Sequence, residues 1–193
     1  MRISNVKAVL IAAWTCCCGV AFAADPYPLY GVGLGLGTAT INNTHMTGAP
    51  TTVLTDSASA YSFSFDMRLS NWHAVEAEFV GMGDYSATGL TAQMTGYGIS
   101  ALGFMPFASK WSLYGKGGVT VMTSTLTPGQ GYVLSTPSTE TKTGLVLGLG
   151  VEYALAPEFA LRLSMTNYPY SMGAGAASGR LAMYTLAAQV NFR

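Results

Sequence analysis

Glu76 and Glu78 stand two residues apart in HAVEAEFVG. On an extended chain that spacing puts both carboxylates on one face, the arrangement of a paired acid and base. His45 and His73, with abundant serines, supply the parts of a nucleophile and its base. Residues 31–37, GVGLGLG, have in outline the glycine spacing of a phosphate-binding loop. Three cysteines, Cys16, Cys17 and Cys18, complete the reactive inventory.

Each of these weakens when placed on the elements that must carry it. The glycine run alternates with Val32, Leu34 and Leu36 inside a strand pattern, and no helix follows to receive a phosphate. His45 falls in a long polar connection and His73 beside a tight turn, on opposite ends of the strands that separate them. Two separated histidines lack metal-ligand spacing. Residues 1–23 have a basic start at Arg2 and Lys7, an apolar middle and Ala21-Phe22-Ala23. This is the pattern of a secretory signal peptide cut after Ala23, which takes all three cysteines with it. No cofactor and no metal are expected.

The remainder, residues 24–193, reads as one all-β domain. Apolar and small or polar residues alternate with a period of two in eight segments. The clearest is AYSFSFDMRLS, where Tyr61, Phe63, Phe65, Met67 and Leu69 oppose Ser62, Ser64, Asp66, Arg68 and Ser70. Leu145 to Leu155 forms an unbroken alternate apolar row against Gly144, Gly148, Gly150 and Glu152. Short links at 70–72, 108–110 and 156–158 alternate with longer ones at 43–56, 86–91, 124–142 and 169–180. Half the chain is hydrophobic and only 9% is charged, against about 25% in soluble domains. Such apolarity without a membrane helix points to the other structure that spans a bilayer, a closed barrel. The expectation is an eight-stranded antiparallel up-and-down transmembrane β-barrel, its short turns in the periplasm. After loss of the leader, seven basic residues face nine acidic ones, a balance that does not suggest nucleic acid.

The placement of charge decides which face is wet. Asp66, Arg68, Glu76, Glu78, Lys116, Glu152 and Arg162 lie opposite the large apolar side chains. Turned inward, they share a narrow lumen with glycine and serine, where buried charges must pair; some could instead stand solvated at the water-filled ends. Turned outward, they would leave eight rows of Tyr, Phe, Leu and Val inside a barrel with room only for side chains or one small ligand. An internal ion-pair network of those seven residues is therefore expected, which makes Glu76 and Glu78 structural rather than catalytic. Tyr61, Trp72, Tyr85, Trp111, Phe159, Tyr184 and Phe192 lie toward strand ends and are expected to form aromatic girdles at the two membrane interfaces.

The run FDMRLSNWHAVEAEFVGMGDY resembles the second hairpin of the OmpA-like outer-membrane β-barrel family. ALGFMPFASKWSLYGKGGV, LGLGVEYALAPEFALRLSMTNY and LAAQVNFR resemble its later hairpins and closing strand. Members commonly end on phenylalanine, whereas here Phe192 is followed by Arg193. The resemblance implies residence in the bacterial outer membrane, contact with lipid and lipopolysaccharide, and handling by the barrel assembly machinery. The role expected is structural or surface-interacting, as a monomer, with an external ligand met through loops 43–56 and 124–142. Its rivals are a narrow low-conductance pore, a lipid A-modifying enzyme and a soluble lipid-binding barrel.

Overall fold

A computed structural model describes residues 27–41, 57–87, 90–128, 137–172 and 177–193. The expected signal peptide, His45, loop 43–56 and residues 129–136 lie outside them. Eight strands follow in order: β1 (Leu29–Ile41), β2 (Ser57–Arg68), β3 (His73–Ala87), β4 (Leu90–Ala108), β5 (Trp111–Pro128), β6 (Ser138–Ala156), β7 (Phe159–Met172) and β8 (Ala177–Phe192). Each pairs antiparallel with its sequence neighbours, and β1 pairs with β8 to close the barrel.

The period-two pattern dictates the two surfaces. Leu34 and Leu36 are 66% and 74% exposed on the outside, while Gly31, Gly33 and Gly35 between them point inward and are buried. A Cβ on Gly33 or Gly35 would run into the hydroxyl of Ser64 or Ser62, and one on Gly31 would come 2.7 Å from an Asp66 oxygen. Glycine is thus kept where the wall of β1 must make room for polar side chains of β2.

At one end of the barrel the connections are tight. Ser70 organises the first: its hydroxyl accepts hydrogen bonds from the backbone N–H of Trp72 and of His73, each at 3.1 Å. Ser109-Lys110 and Pro157-Glu158 form the other two, bracketed by the pairs Ala108–Trp111 and Ala156–Phe159. This is called the turn end, and its opposite the loop end.

The strands run further toward the loop end than the pattern suggests. The segment read as loop 124–142 is strand up to Pro128 and again from Ser138. The ladder there carries cross-strand hydroxyl pairs, Thr123 with Thr141 at 3.2 Å and Thr125 with Thr139 at 3.4 Å, so Ser- and Thr-rich sequence forms strand because it pairs. Likewise β7 continues to Met172 and β8 begins at Ala177, which cuts into the connection expected at 169–180.

The lumen is not uniformly polar. Toward the loop end it is filled by a buried apolar layer that includes Ile41, Val80, Met82, Tyr85, Met94, Met122, Leu126, Val146, Tyr168, Tyr170, Met172, Leu181 and Met183. Toward the turn end a smaller cluster joins Ala74, Leu102, Phe104 and Tyr114. Charged and hydroxyl side chains lie between the two.

Candidate functional site: a buried ion-pair layer in the lumen

Six of the eight strands deliver ionised or hydrogen-bonding side chains to one level of the barrel. β2 supplies Asp66 and Arg68, β3 Glu76 and Glu78, β5 Lys116, β6 Glu152, β7 Arg162, and β8 Gln189. Alternation fixes their inward direction, and register brings them together: Asp66 pairs with Glu76, and Glu152 with Arg162.

Arg162 is the hub. Its Nε meets Glu152 at 2.8 Å, and its two terminal nitrogens meet Asp66 at 3.3 Å and Glu76 at 3.4 Å. Glu152 also accepts from Arg68 at 2.7 Å. Lys116 bridges Glu76 at 2.7 Å and Glu78 at 2.5 Å. All seven residues singled out from the sequence thus fall into one connected set of three cations and four carboxylates. Arg162, Asp66 and Glu152 are each 5% exposed or less.

Several members were not singled out beforehand. Gln189 donates to Asp66 at 2.6 Å, and the Tyr168 hydroxyl donates to Glu78 at 2.7 Å. The Arg68 guanidinium stacks 4.1 Å above the Phe104 ring, and Arg162 lies 5.5 Å and 5.7 Å from the rings of Phe104 and Tyr114, within reach of cation–π attraction. Gln189 carries no charge to draw notice. Tyr168 is the last residue before the connection expected at 169–180 and carries no charge at neutral pH. Phe104 falls on the inner face by alternation with Met105 but, like Gln189, carries no charge to mark it.

The space left is small. A void of about 30 Å3 lies among Glu76, Lys116, Arg162, Ser164 and Gln189, enough for about one water. On the turn side of the layer a wider vestibule of about 730 Å3 opens between Arg68, Glu152, Lys110, Glu158 and Arg193.

The chemistry first suggested by residue type finds little support in this geometry. Glu76 and Glu78 share one ammonium rather than facing a common substrate space. Ser70 does approach His73, its Oγ 3.3 Å from Nδ1. That hydroxyl is already engaged by two backbone N–H groups, and no carboxylate orients the imidazole among the described residues. Among those residues no cluster of His, Cys, Asp or Glu has a metal-binding arrangement.

Tyr61, Trp72, Trp111, Phe159, Tyr184 and Phe192 lie on the outer surface, 44–52% exposed. Trp111 packs on Tyr153 at 4.6 Å, and Tyr30 stacks between Phe65 and Phe192. Tyr85 does not join them, contrary to expectation. It is fully buried in the lumen, its hydroxyl donating to the Ala39 carbonyl at 3.1 Å. The register of β3 against β4 slips between Met82 and Tyr85, so three steps on β3 oppose two on β4, Met94 to Ala92. One extra residue reverses the facing of all that follows. Asp84, which simple alternation along β3 would set on the face of Glu76 and Glu78, is turned out and accepts from Gln93 at 2.7 Å.

Comparison with known proteins agrees with the architecture. Residues 9–192 match the family described as outer membrane protein beta-barrel domain. No match is found among curated proteins. Among solved structures, Neisserial surface protein A is similar at 15% identity with a TM-score of 0.63, over 85% of this chain and 97% of that one. Ail, the attachment invasion locus protein of Yersinia pestis, is similar at 15% identity and 0.57, over 86% and 99%. The N-terminal barrel of Pseudomonas aeruginosa OprF is similar at 13% identity and 0.56, over 84% and 97%.

Proposed function

From the premise that this chain belongs to the outer membrane protein beta-barrel domain family, and is therefore a β-barrel of the bacterial outer membrane, we propose that it is a closed scaffold rather than a conduit or an enzyme. Its wall anchors in lipid, its turn end faces the periplasm as short turns do in this class, and its loop end meets the exterior. The observation that carries this reading is the ion-pair layer: three cations and four carboxylates joined across the lumen, with a residual void of about 30 Å3.

Such a layer stops solute because passage requires separating paired buried charges, each costly to leave alone in a low-dielectric interior. Glu76 and Glu78 act here as counter-ions to Lys116 rather than as a general acid and base. The exposed aromatics at the turn end, Trp72, Trp111, Phe159 and Phe192, serve as interfacial anchors, and Tyr61 and Tyr184 as those toward the loop end. Outward function then falls to the connections at 43–56 and 129–136. Ail, a barrel of the same fold, has been crystallised with the heparin analogue sucrose octasulfate. A surface-interaction role for this chain is consistent with the same use of the fold.

Planar-bilayer recording tests the reading. The wild-type barrel is expected to show no resolved channel. Arg162→Ala removes the hub, leaves Asp66, Glu76 and Glu152 facing one another, and is expected to admit water and a cation-selective current. A steady wild-type conductance that Arg162→Ala leaves unchanged would sink the scaffold reading in favour of a narrow pore.

A further inference from the structure

Half the methionines of the chain meet inside the barrel. Of ten, Met82, Met94, Met122, Met172 and Met183 belong to the buried layer toward the loop end, each 3% exposed or less. Three of them converge on one stretch of wall. Met82 of β3 pairs directly with Met94 of β4, and residues so opposed have Cβ atoms about 4.5–5.5 Å apart. Met122 of β5 pairs with Gly96, the next inward residue of β4 after Met94. Its sulfur fills the room left by the missing side chain: a Cβ on Gly96 would collide with Met122 Sδ and come 3.3 Å from its Cε. Gly96 therefore lets the Met122 thioether lie against β4 beside Met94.

One polar group is set among them without a partner. Ser124 stands directly opposite Met94 and is the next inward residue of β5 after Met122. It is 1% exposed, and its hydroxyl makes no hydrogen bond among the described residues. Packing explains methionine, which fills irregular gaps. It does not explain a hydroxyl buried against three thioethers, because an unmet polar group in an apolar layer costs free energy that alanine in its place would avoid. Hydroxyl oxygen and thioether sulfur are both neutral lone-pair donors, and a cation satisfies the two kinds at once.

Charge favours a single positive charge there. The ion-pair layer holds three cations against four carboxylates, so that layer carries one negative charge in excess. Its member Glu78 lies two inward steps along β3 from Met82, about 13 Å at strand spacing. Lys142 stands opposite Met122, yet its ammonium is drawn aside to the Tyr170 carbonyl at 3.2 Å, and Glu140 shares its face of β6. A divalent ion would exceed this balance. Hard ions also prefer carboxylate and carbonyl oxygen, whereas thioethers select soft Cu(I).

We propose that Met82, Met94 and Met122, with the Ser124 hydroxyl, form a binding site in the barrel interior for a soft monovalent metal ion of the Cu(I) class. The three sulfurs supply the bonds, Ser124 the fourth donor, and the ion-pair layer the balancing charge. The site needs only the registers of β3, β4 and β5, and stands whether or not the barrel conducts.

Methionine-methyl NMR tests it in the processed barrel refolded in detergent. The probe is Ag(I), which shares the charge and softness of Cu(I) without its redox chemistry. One equivalent is expected to move the methyl resonances of Met82, Met94 and Met122 and to leave in place those of Met67, Met105 and Met165, which alternation turns outward. Met94→Leu keeps the volume and removes the sulfur, a swap that cores tolerate. It should weaken Ag(I) binding at least about tenfold, the lower end of what losing even an outer partner of a metal costs. Ser124→Ala should weaken it less, and Met105→Leu on the outer wall should not change it. Shifts spread equally over the outward methionines, or an affinity that both Met94→Leu and the triple change Met82→Leu, Met94→Leu and Met122→Leu leave intact, mark adventitious binding only and overturn the proposal, as does the absence of any shift. Should the triple variant fail to fold, the wild-type resonances and Met94→Leu alone decide.

Discussion

Arg162 illustrates why a buried ion-pair layer is fragile to single substitutions. The guanidinium touches three carboxylates, and deleting one member of a buried charge cluster typically costs about 3–5 kcal/mol because its partners stay behind unpaired. Arg162→Ala is expected to lose stability of that order in urea unfolding of the detergent-solubilised barrel, alongside its electrical phenotype. Tyr85→Phe probes a neutral contact. It leaves the Ala39 carbonyl without its donor and should cost about 1 kcal/mol, read as a small fall in the unfolding midpoint with an unchanged slope. The seven charged residues were legible because charge standing opposite a period-two apolar face has few places to go. Tyr85 was not, since its facing depends on one extra residue in β3. The only sign of the slip is Gly83, and a glycine within a strand marks a bulge no more often than it marks a crowded neighbour.

Glycines in the strands divide by what surrounds them, and this gives a paired prediction. A Cβ on Gly37 would collide with the backbone carbonyl of Tyr184 across the β1–β8 closure, whereas one on Gly103 would meet nothing within 4 Å. Gly37→Ala is expected to destabilise the closure by about 1–3 kcal/mol, the usual penalty of overpacking. Gly103→Ala should be neutral or slightly stabilising. Refolding yield of the two proteins compared side by side checks this; equal yields would mean that β8 shifts to accept the methyl group. The number and order of strands were readable from alternation. Their loop-end limits were not: Thr- and Ser-rich sequence at 123–127 and 138–143 has the composition of a loop and becomes strand through cross-strand pairing. Pro169 similarly reads as a strand breaker, yet it fits within β7 because the ladder to β6 has already stopped.

At the scale of the whole molecule, closure into an eight-stranded wall has a direct biochemical signature. Protein extracted from outer membranes is expected to migrate faster in detergent gels when unboiled than after boiling, because a sealed barrel resists the detergent that unfolds it on heating. Identical migration with recovery in the soluble periplasmic fraction would contradict membrane residence. The fold class was legible at this scale because a chain so apolar, read as having no membrane helix after its first 23 residues, has few other ways to satisfy its backbone in a bilayer. The apolar filling of the loop-end lumen was not, since Met82, Met94 and Met122 reveal their inward facing only once the registers of β3, β4 and β5 are known. The closure itself sets an order of events. Tyr30 pairs with Phe192, so the bond row that seals the wall joins the first strand to the last. Until β8 arrives, β1 presents a bare edge open to any passing strand, and no shorter piece of the chain can finish the job. Assembly is then expected to be slow, as non-local pairing makes it, with the wall sealed only when the last strand is in place.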